Sequence, residues 1–157
     1  QDPIGLAGGN PTLYGYVFNP MWEFDPFGLD VKTGVGRTHV TYKGFKNGLP
    51  YTGYASAPSE LGLSGDEIVT RRYGGNFEVF GGQAPKVMYI GEGKEGKWIA
   101  RGLEQRYYEL DVQKAGGDVS KVANRQNPVG TNNANRTNYL NAADAYLKEN
   151  PKVHCNP

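Results

Sequence analysis

The sequence has very few of the side chains that form covalent cross-links or histidine-based metal sites. Cys155 is the one cysteine among 157 residues, so an intrachain disulfide framework cannot form. His39 and His154 are the two histidines, which argues against a His-rich zinc site and against nucleases of the HNH type. The candidate chemistry that remains is that of carboxylates, guanidinium groups and phenols.

Long apolar runs are also missing. None approaches the roughly 20 residues that a membrane-spanning helix needs, so we expect no membrane span. Hydrophobic residues make up 38% of the chain, and 23 glycines and 10 prolines favour short elements joined by many turns. No Gly-x4-Gly-Lys-Ser/Thr motif is present, which excludes a phosphate-binding loop of that kind. The chain is long enough for one domain with a single core.

Basic residues are absent from the first 30 positions, which hold four of the 16 acidic residues. The other 127 residues therefore hold all 17 Lys and Arg residues beside 12 acidic ones, a balance of +5. A moderately basic domain is compatible with a polyanionic substrate, because phosphate contacts dominate affinity for nucleic acids.

The first 30 residues carry a repeated motif. Asp2–Leu6 reads DPIGL and is echoed by DPFGL at Asp25–Leu29, with Pro20 five residues before the second copy. This order resembles the end of the core repeat of Rhs/YD-repeat polymorphic toxins, where Pro-x4-Asp-Pro-x-Gly-Leu marks release of a variable C-terminal toxin. The resemblance implies two parts, an irregular Rhs-core tail at 1–30 and a toxin domain at 31–157.

The same resemblance implies how the toxin is released and where it acts. Cleavage follows Leu29 and resembles aspartyl proteolysis, in which Asp25 and its possible partner Asp2 share a proton. Outside the Rhs shell we expect no self-cleavage. The toxin is then a secreted effector, with type VI secretion as the expected delivery route into the cytoplasm of a target bacterium. Its expected partners are the Rhs shell before release and an acidic cognate immunity protein.

Local patterns predict an α+β fold with a small antiparallel sheet flanked by helices. Asn47-Gly48 joins two runs rich in β-formers, Thr38–Phe45 and Leu49–Ala55, as in a hairpin. Ser64 and Glu67 form a capping box at the start of a helix that ends at Tyr73. The other predicted elements are a second hairpin of Asn76–Phe80 and Lys86–Ile90, a loop at Gly93–Gly96, helices at Trp98–Lys114 and Tyr139–Glu149, and an irregular loop at Asn124–Asn138.

Two tyrosine motifs stand on the predicted hairpin. Val40-Thr41-Tyr42 and Tyr51-Thr52-Gly53 place their tyrosines nine residues apart, Arg71 and Arg72 lie on the first helix, and Glu104 lies on the second. This order resembles the GIY-YIG nucleases, and Arg101–Gln105 with the Asn-rich sequence beyond it is similar to Rhs-borne toxins often placed near them. The resemblance implies a GIY-YIG-like DNase.

That resemblance assigns a role to each residue type. Glu104 holds one Mg²⁺ or Mn²⁺ ion, with waters as the other ligands. Arg71 or Arg72 binds a non-bridging phosphate oxygen. Tyr42 or Tyr51 assists proton removal from water if its pKa is lowered by the metal or an arginine. The candidate substrate contacts in the loop beyond are Asn124 and Asn127.

Other interpretations of these residues stay open. Glu104 can simply form an ion pair with Arg101, and strand tyrosines are often packing residues. Tyr89-Ile90-Gly91 also spells the second motif, in a register that needs a first motif near 77–80 and uses Arg101 with Glu149. A different chemistry is an ADP-ribosyltransferase that binds NAD through Arg37 and uses Glu104. A third class is a binding module that needs a partner for activity.

Overall fold

The computed structural model describes residues 36–154 as an α+β domain, which confirms the predicted fold class. Its longer elements, in chain order, are β1 (Arg37–Lys46), β2 (Leu49–Pro58), α1 (Gly65–Tyr73), β3 (Lys86–Glu92), α2 (Gly93–Lys114), α3 (Arg136–Glu149) and α4 (Pro151–His154). Short 3-10 turns lie at Ser59–Leu61, Glu78–Phe80 and Val119–Lys121. Within 36–154 no helix is both long and apolar enough to cross a membrane.

The predicted first hairpin is confirmed. β1 and β2 pair antiparallel from Arg37 opposite Pro58 to Lys46 opposite Leu49, with a two-residue turn between them. Asn47 and Gly48 both have positive φ, 52° and 81°. These values suit the mirror-image turns that match the twist of a hairpin.

β1 is the central strand of a three-stranded antiparallel sheet with the order β2-β1-β3. The predicted second hairpin is therefore wrong, because β3 pairs with β1 and not with the segment at 76–80. Glu78–Phe80 forms a 3-10 turn, and the Val79 carbonyl accepts a hydrogen bond from the Asn47 amide at 2.7 Å. That segment packs on the first hairpin's turn and leaves the other edge of β1 to β3.

Helix α1 starts at the predicted capping box. The Ser64 hydroxyl accepts from the Glu67 amide at 3.2 Å, and the Glu67 carboxylate accepts from the Ser64 amide at 2.7 Å. Gly74, with φ 60°, ends the helix in the left-handed conformation. Ile68 and Val69 are buried in a core that includes Val40 and Tyr42 of β1.

Helix α2 begins earlier than predicted. The expected loop at Gly93–Gly96 is its first turn, which follows β3 directly. A Cβ at Gly96 would collide with the backbone of Gly91, so this glycine permits close contact between helix and strand. The last long helix likewise begins at Arg136, inside the predicted Asn-rich loop. Both helix starts are predicted too late because glycine and asparagine have low helix propensity. In the folded chain, tertiary contacts override that propensity.

Helices α1 and α2 contact the sheet from opposite faces. Val40 and Tyr42 belong to the core beneath α1, whereas Thr41 donates a hydrogen bond to the Ala100 carbonyl of α2 at 2.7 Å. This alternation follows from the two-residue period of a strand. A second core joins α2 and α3 through Leu103, Tyr107, Ala143 and Leu147.

Candidate active site

Tyr42 lies at the centre of a group of buried phenols. It is fully buried, and its hydroxyl is 2.9 Å from the Tyr73 hydroxyl. Gly53 is its partner on β2, where a Cβ would collide with the Tyr42 ring. Gly53 of the second motif is therefore needed to leave space for the ring of Tyr42 of the first motif.

Tyr51 joins the same group from the outer strand. Its ring centroid is 6.3 Å from that of Tyr42, and its side chain hydrogen-bonds Tyr73. Sequence reasoning missed Tyr73, the last residue of α1. The available signal was its position directly after the two candidate arginines.

The structure distinguishes the two arginines. Arg71 is exposed, whereas Arg72 is half-buried beside the phenols. Burial acts to lower the pKa of Arg72, but the nearby Tyr42, Tyr73 and Tyr51 and a side-chain hydrogen bond to Tyr42 raise it overall. Arg72 is thus held as a cation at the site, and the choice between the two arginines narrows to Arg72.

Glu104 projects from α2 into a buried position, with 7% of the residue exposed. Its Oε2 accepts from Arg101 Nη1 at 2.5 Å. Arg101 is itself fixed, because it donates to the Pro128 carbonyl at 2.7 Å and lies 5.0 Å from the Tyr54 ring centroid. The ion pair considered from the sequence is present, but the carboxylate has further neighbours.

Burial raises the pKa of the Glu104 carboxyl to about 7, against the opposing effects of Arg101 and Arg72. The charge of Glu104 also acts on Tyr51. Since Arg72 belongs to α1 and Tyr51 to β2, the carboxylate lies within electrostatic range of groups from two other elements. We call this set, formed by Tyr42, Tyr51, Arg72, Tyr73 and Glu104, the Tyr–Arg–Glu cluster.

A tyrosine can act as a base near neutral pH only if its pKa is lowered, and the surrounding protein groups do not, on balance, lower the pKa of Tyr42 or Tyr51. Burial, with contributions from neighbouring phenols, raises the pKa of Tyr42 well above its ordinary value, and Arg72 offsets this only in part. Burial also raises the pKa of Tyr51, followed by Tyr73 and Glu104. Both phenols are therefore neutral hydrogen-bonding groups at neutral pH.

Asn124 and Asn127 lie in the loop that follows α2. The Asn124 amide donates to the Thr52 carbonyl at 2.7 Å and accepts from the Thr52 amide at 3.1 Å. Next to it, the Ala123 amide donates to the Pro50 carbonyl at 2.8 Å. Asn124 thus fastens the loop to the outer edge of β2, and Asn127 is exposed.

The donor atoms suit a hard divalent cation that keeps most of its waters. Residues 36–154 contain no group of three or more His, Cys, Asp or Glu side chains that could hold a metal. The cluster holds one carboxylate, Glu104, whose Oε2 accepts from Arg101, and Mg²⁺ is typically held by one or two carboxylates plus waters and substrate oxygens. The cluster therefore fits Mg²⁺ or Mn²⁺ and not a structural zinc ion.

The alternative register does not form a comparable group. Its first motif would fall where Glu78–Phe80 makes a 3-10 turn, and Glu149 is exposed near the end of α3. The Tyr89 ring packs edge-on against Tyr146, with centroids 5.0 Å apart. Arg37, the candidate NAD contact, donates to the Ser56 hydroxyl at 3.1 Å.

Some predictions lie outside the residues that the structure describes. The cleavage motif residues Asp2, Asp25 and Leu29 belong to them, as does the boundary between the predicted parts 1–30 and 31–157. These stay predictions from the sequence.

Comparison with known proteins gives one informative similarity. No family model and no solved structure matches the chain. A stretch of 28 residues is 68% identical to a curated protein of Dickeya dadantii (strain 3937), the probable deoxyribonuclease RhsA. The stretch is 18% of this chain and 2% of that protein, so the chain spans a very small part of its relative. The match supports the predicted resemblance, and over that stretch the chain is similar to an Rhs protein.

Proposed function

We propose that residues 31–157 are a metal-dependent nuclease effector that cleaves DNA phosphodiester bonds through a GIY-YIG-like site. One observation carries the proposal: Glu104 of α2 is buried, and its charge interacts electrostatically with Tyr51 of β2 and Arg72 of α1. These residues are far apart in sequence, and each has the role that the resemblance assigns to it. A purely structural glutamate would need only its Arg101 partner.

DNA is the proposed substrate on two grounds. The curated relative is named a probable deoxyribonuclease, and residues 31–157 carry an excess of basic side chains. An Rhs-type origin further suggests an effector released from an Rhs shell, delivered into the cytoplasm of a target bacterium and neutralised in the producer by an immunity protein.

Arg72 is the group best placed to hold the scissile phosphate. Its planar guanidinium presents several donors that match non-bridging phosphate oxygens. A side-chain hydrogen bond to Tyr42 helps to orient it, and Tyr73 and Tyr51 lie close enough to affect its pKa. Charge that develops on the phosphate is therefore met by a preorganised cation.

Glu104 supplies the oxygen ligand for the metal. A bound Mg²⁺ or Mn²⁺ ion would act as a Lewis acid toward the phosphate. Because burial raises the pKa of Glu104 to about 7, the carboxyl is partly protonated at neutral pH and must release its proton to bind a cation. Arg101 holds Oε2 and so orients the carboxylate.

The two tyrosines have different access to a substrate. Tyr51 is half-buried and can hydrogen-bond a phosphate oxygen or a water. Tyr42 is fully buried and bonds to Tyr73, so it acts as a positioning residue for the cluster. Both contribute as neutral phenols.

The test is incubation of the purified chain with supercoiled plasmid and with total RNA, each with Mg²⁺ or with a chelator. We expect Mg²⁺-dependent nicking of the plasmid that Glu104→Gln and Arg72→Gln greatly slow and that Arg71→Gln, on the exposed neighbour, leaves nearly unchanged. Cleavage that survives both chelation and Glu104→Gln would refute the mechanism. Consumption of NAD without a divalent cation would support the ADP-ribosyltransferase instead.

A further inference from the structure

A polar pocket adjoins the Tyr–Arg–Glu cluster at Tyr51. It has a volume of about 270 Å³ and is lined by Lys46, Asn47, Tyr51, Ala123 and Arg125. Its walls are the turn of the first hairpin and the loop after Val119–Lys121. We call it the hairpin pocket. Tyr51 belongs to both the pocket and the cluster, so the two adjoin.

The cations of this pocket are held in place by the surrounding structure. Lys46 is half-buried, and its Nζ lies 4.9 Å from the centroid of the Tyr51 ring. Arg125 is exposed, but it directly follows Ala123 and Asn124, which make three hydrogen bonds to the backbone of β2. The loop therefore carries Arg125 to the same side of Tyr51 as Lys46.

Within residues 36–154, no acidic side chain forms an ion pair with the positive charges at this point. Among residues 36–154, the ion pairs between basic and acidic side chains do not include Lys46, Arg72 or Arg125. Burial lowers the pKa of Lys46, and the nearby charges of Arg125 and Arg72 lower it further. Three cations that repel one another are stabilised when an anion binds among them.

We propose that the hairpin pocket is a second phosphate subsite, in which Lys46 and Arg125 bind a phosphodiester next to the scissile one. This inference rests on the proposed function, because it takes Arg72 and Glu104 to mark the scissile position. A nucleic-acid strand then passes over Tyr51, with one phosphate on each side. Cleavage then requires that the scissile bond lie within the strand and that a charged phosphodiester follow it on the side of the hairpin pocket.

Binding is measured first, with a chain that cannot cleave. In a Glu104→Gln background, fluorescence anisotropy gives the Kd for a labelled DNA duplex between 50 and 200 mM salt. Lys46→Gln and Arg125→Gln should each make the negative slope of the logarithm of the binding constant against the logarithm of the salt concentration shallower by about 0.9, the change expected for one lost phosphate contact. The affinity lost is then about 3.5-fold larger at 50 mM than at 200 mM salt. The control Lys148→Gln, exposed on α3, should leave the slope unchanged.

Position along the strand is tested by cleavage with the otherwise unsubstituted chain. A single neutral methylphosphonate is moved along the strand around the cleaved bond. At one adjacent position it should slow cleavage as much as the double substitution Lys46→Gln/Arg125→Gln does, and it should not slow the double variant further. Because mutual repulsion is relieved, each substitution should keep or raise the Tm, which separates lost binding from misfolding.

The outcomes are distinct. Unchanged salt slopes for both variants, or a methylphosphonate effect that persists in the double variant, would overturn the subsite. If both substitutions weaken binding of inorganic pyrophosphate but not of DNA, the nucleic-acid assignment is wrong. If DNA binding depends on the pocket and the unsubstituted chain never cleaves, the proposed function fails and the subsite stands.

Discussion

Helix α2 carries two buried carboxylates, Glu104 and Asp111, and their surroundings differ. Asp111 forms an ion pair with Lys43 at 2.8 Å and accepts from Thr52 at 3.5 Å. Both partners of that pair are nearly buried, so charge and hydrogen bonding are satisfied within the protein. Glu104, seven residues earlier, pairs with Arg101 at 2.5 Å, but its charge also interacts with Arg72 and with Tyr51, which lines the hairpin pocket.

The comparison separates two uses of a buried charge. A pair such as Lys43–Asp111 links strand and helix and leaves nothing for a ligand to complete. The Tyr–Arg–Glu cluster retains a carboxyl whose pKa is raised to about 7 and an arginine outside the ion pairs found in 36–154. Groups held out of balance in this way are typical of functional sites.

The largest expected effect comes from removing each carboxylate in turn. Glu104→Gln should lower the DNA cleavage rate by roughly 10³-fold, because the metal ligand and its charge are lost. Asp111→Asn should instead lower the free energy of unfolding by about 3 kcal/mol, because Lys43 is left buried without its counter-charge. Cleavage assays and urea unfolding measure the two effects. The comparison breaks if Asp111→Asn stays folded and loses cleavage while Glu104→Gln retains it.

The pH dependence of stability sharpens the same contrast. The folded-state pKa of Glu104 is about 7 against an ordinary 4.5, so the folded chain binds this proton more tightly than the unfolded chain does. The carboxyl therefore lowers stability progressively from about pH 4.5 to 7, by up to roughly 3 kcal/mol above that range.

Glu104→Gln lacks this titration. In metal-free buffer, its free energy of unfolding should increase relative to that of the unsubstituted chain between pH 5 and pH 8, because only the unsubstituted chain loses stability over this range. Urea unfolding across this range measures the difference. A constant difference would mean that the carboxyl is not buried as described.

The two adjacent arginines of α1, Arg71 and Arg72, test which of them belongs to the cluster. Arg72→Gln should lower cleavage by about a hundredfold, as expected for a lost donor to the reacting phosphate. Arg71→Gln should change it less than threefold, since that side chain is exposed. Initial rates on plasmid, with Tm values for both variants, decide the point. Equal losses would remove Arg72 from the site.

The smallest effect concerns Asn124, whose side-chain amide bonds the Thr52 backbone and so positions the loop. Asn124→Ala removes two hydrogen bonds to Thr52, and the unfolding free energy should fall by about 1–2 kcal/mol. Since Arg125 then loses its fixed position, KM for DNA should rise several-fold with little change in kcat. A fall in kcat alone would point to direct contact with the reacting phosphate.

Local signals in the sequence were sufficient for the first hairpin and for α1. Asn47-Gly48 specifies a tight turn, and the capping box of Ser64 and Glu67 defines a helix start, whatever lies elsewhere in the chain. The partner of β3 was not predictable in this way. It depends on which edge of β1 is left free, and that is decided by the packing of Glu78–Phe80 on the turn.

The residues of the candidate site likewise divide into those that the sequence predicts and those that depend on tertiary packing. Resemblance supplied Tyr51 and Glu104, because their order along the chain is a sequence property. The choice of Arg72 over Arg71 needed the phase of the last turn of α1 against the sheet. Tyr73 stands directly after the candidate arginines in the sequence, but its place in the site, like that of Arg125, depends on contacts between segments distant in sequence.

The central claim is that Glu104 holds one divalent cation against a DNA backbone. Mn²⁺ bound to the chain in the presence of a DNA duplex can be counted by electron paramagnetic resonance for the unsubstituted chain, Glu104→Gln and Asp111→Asn. The account predicts one bound Mn²⁺ per chain that is lost in Glu104→Gln and kept in Asp111→Asn. An equal count in all three would contradict it.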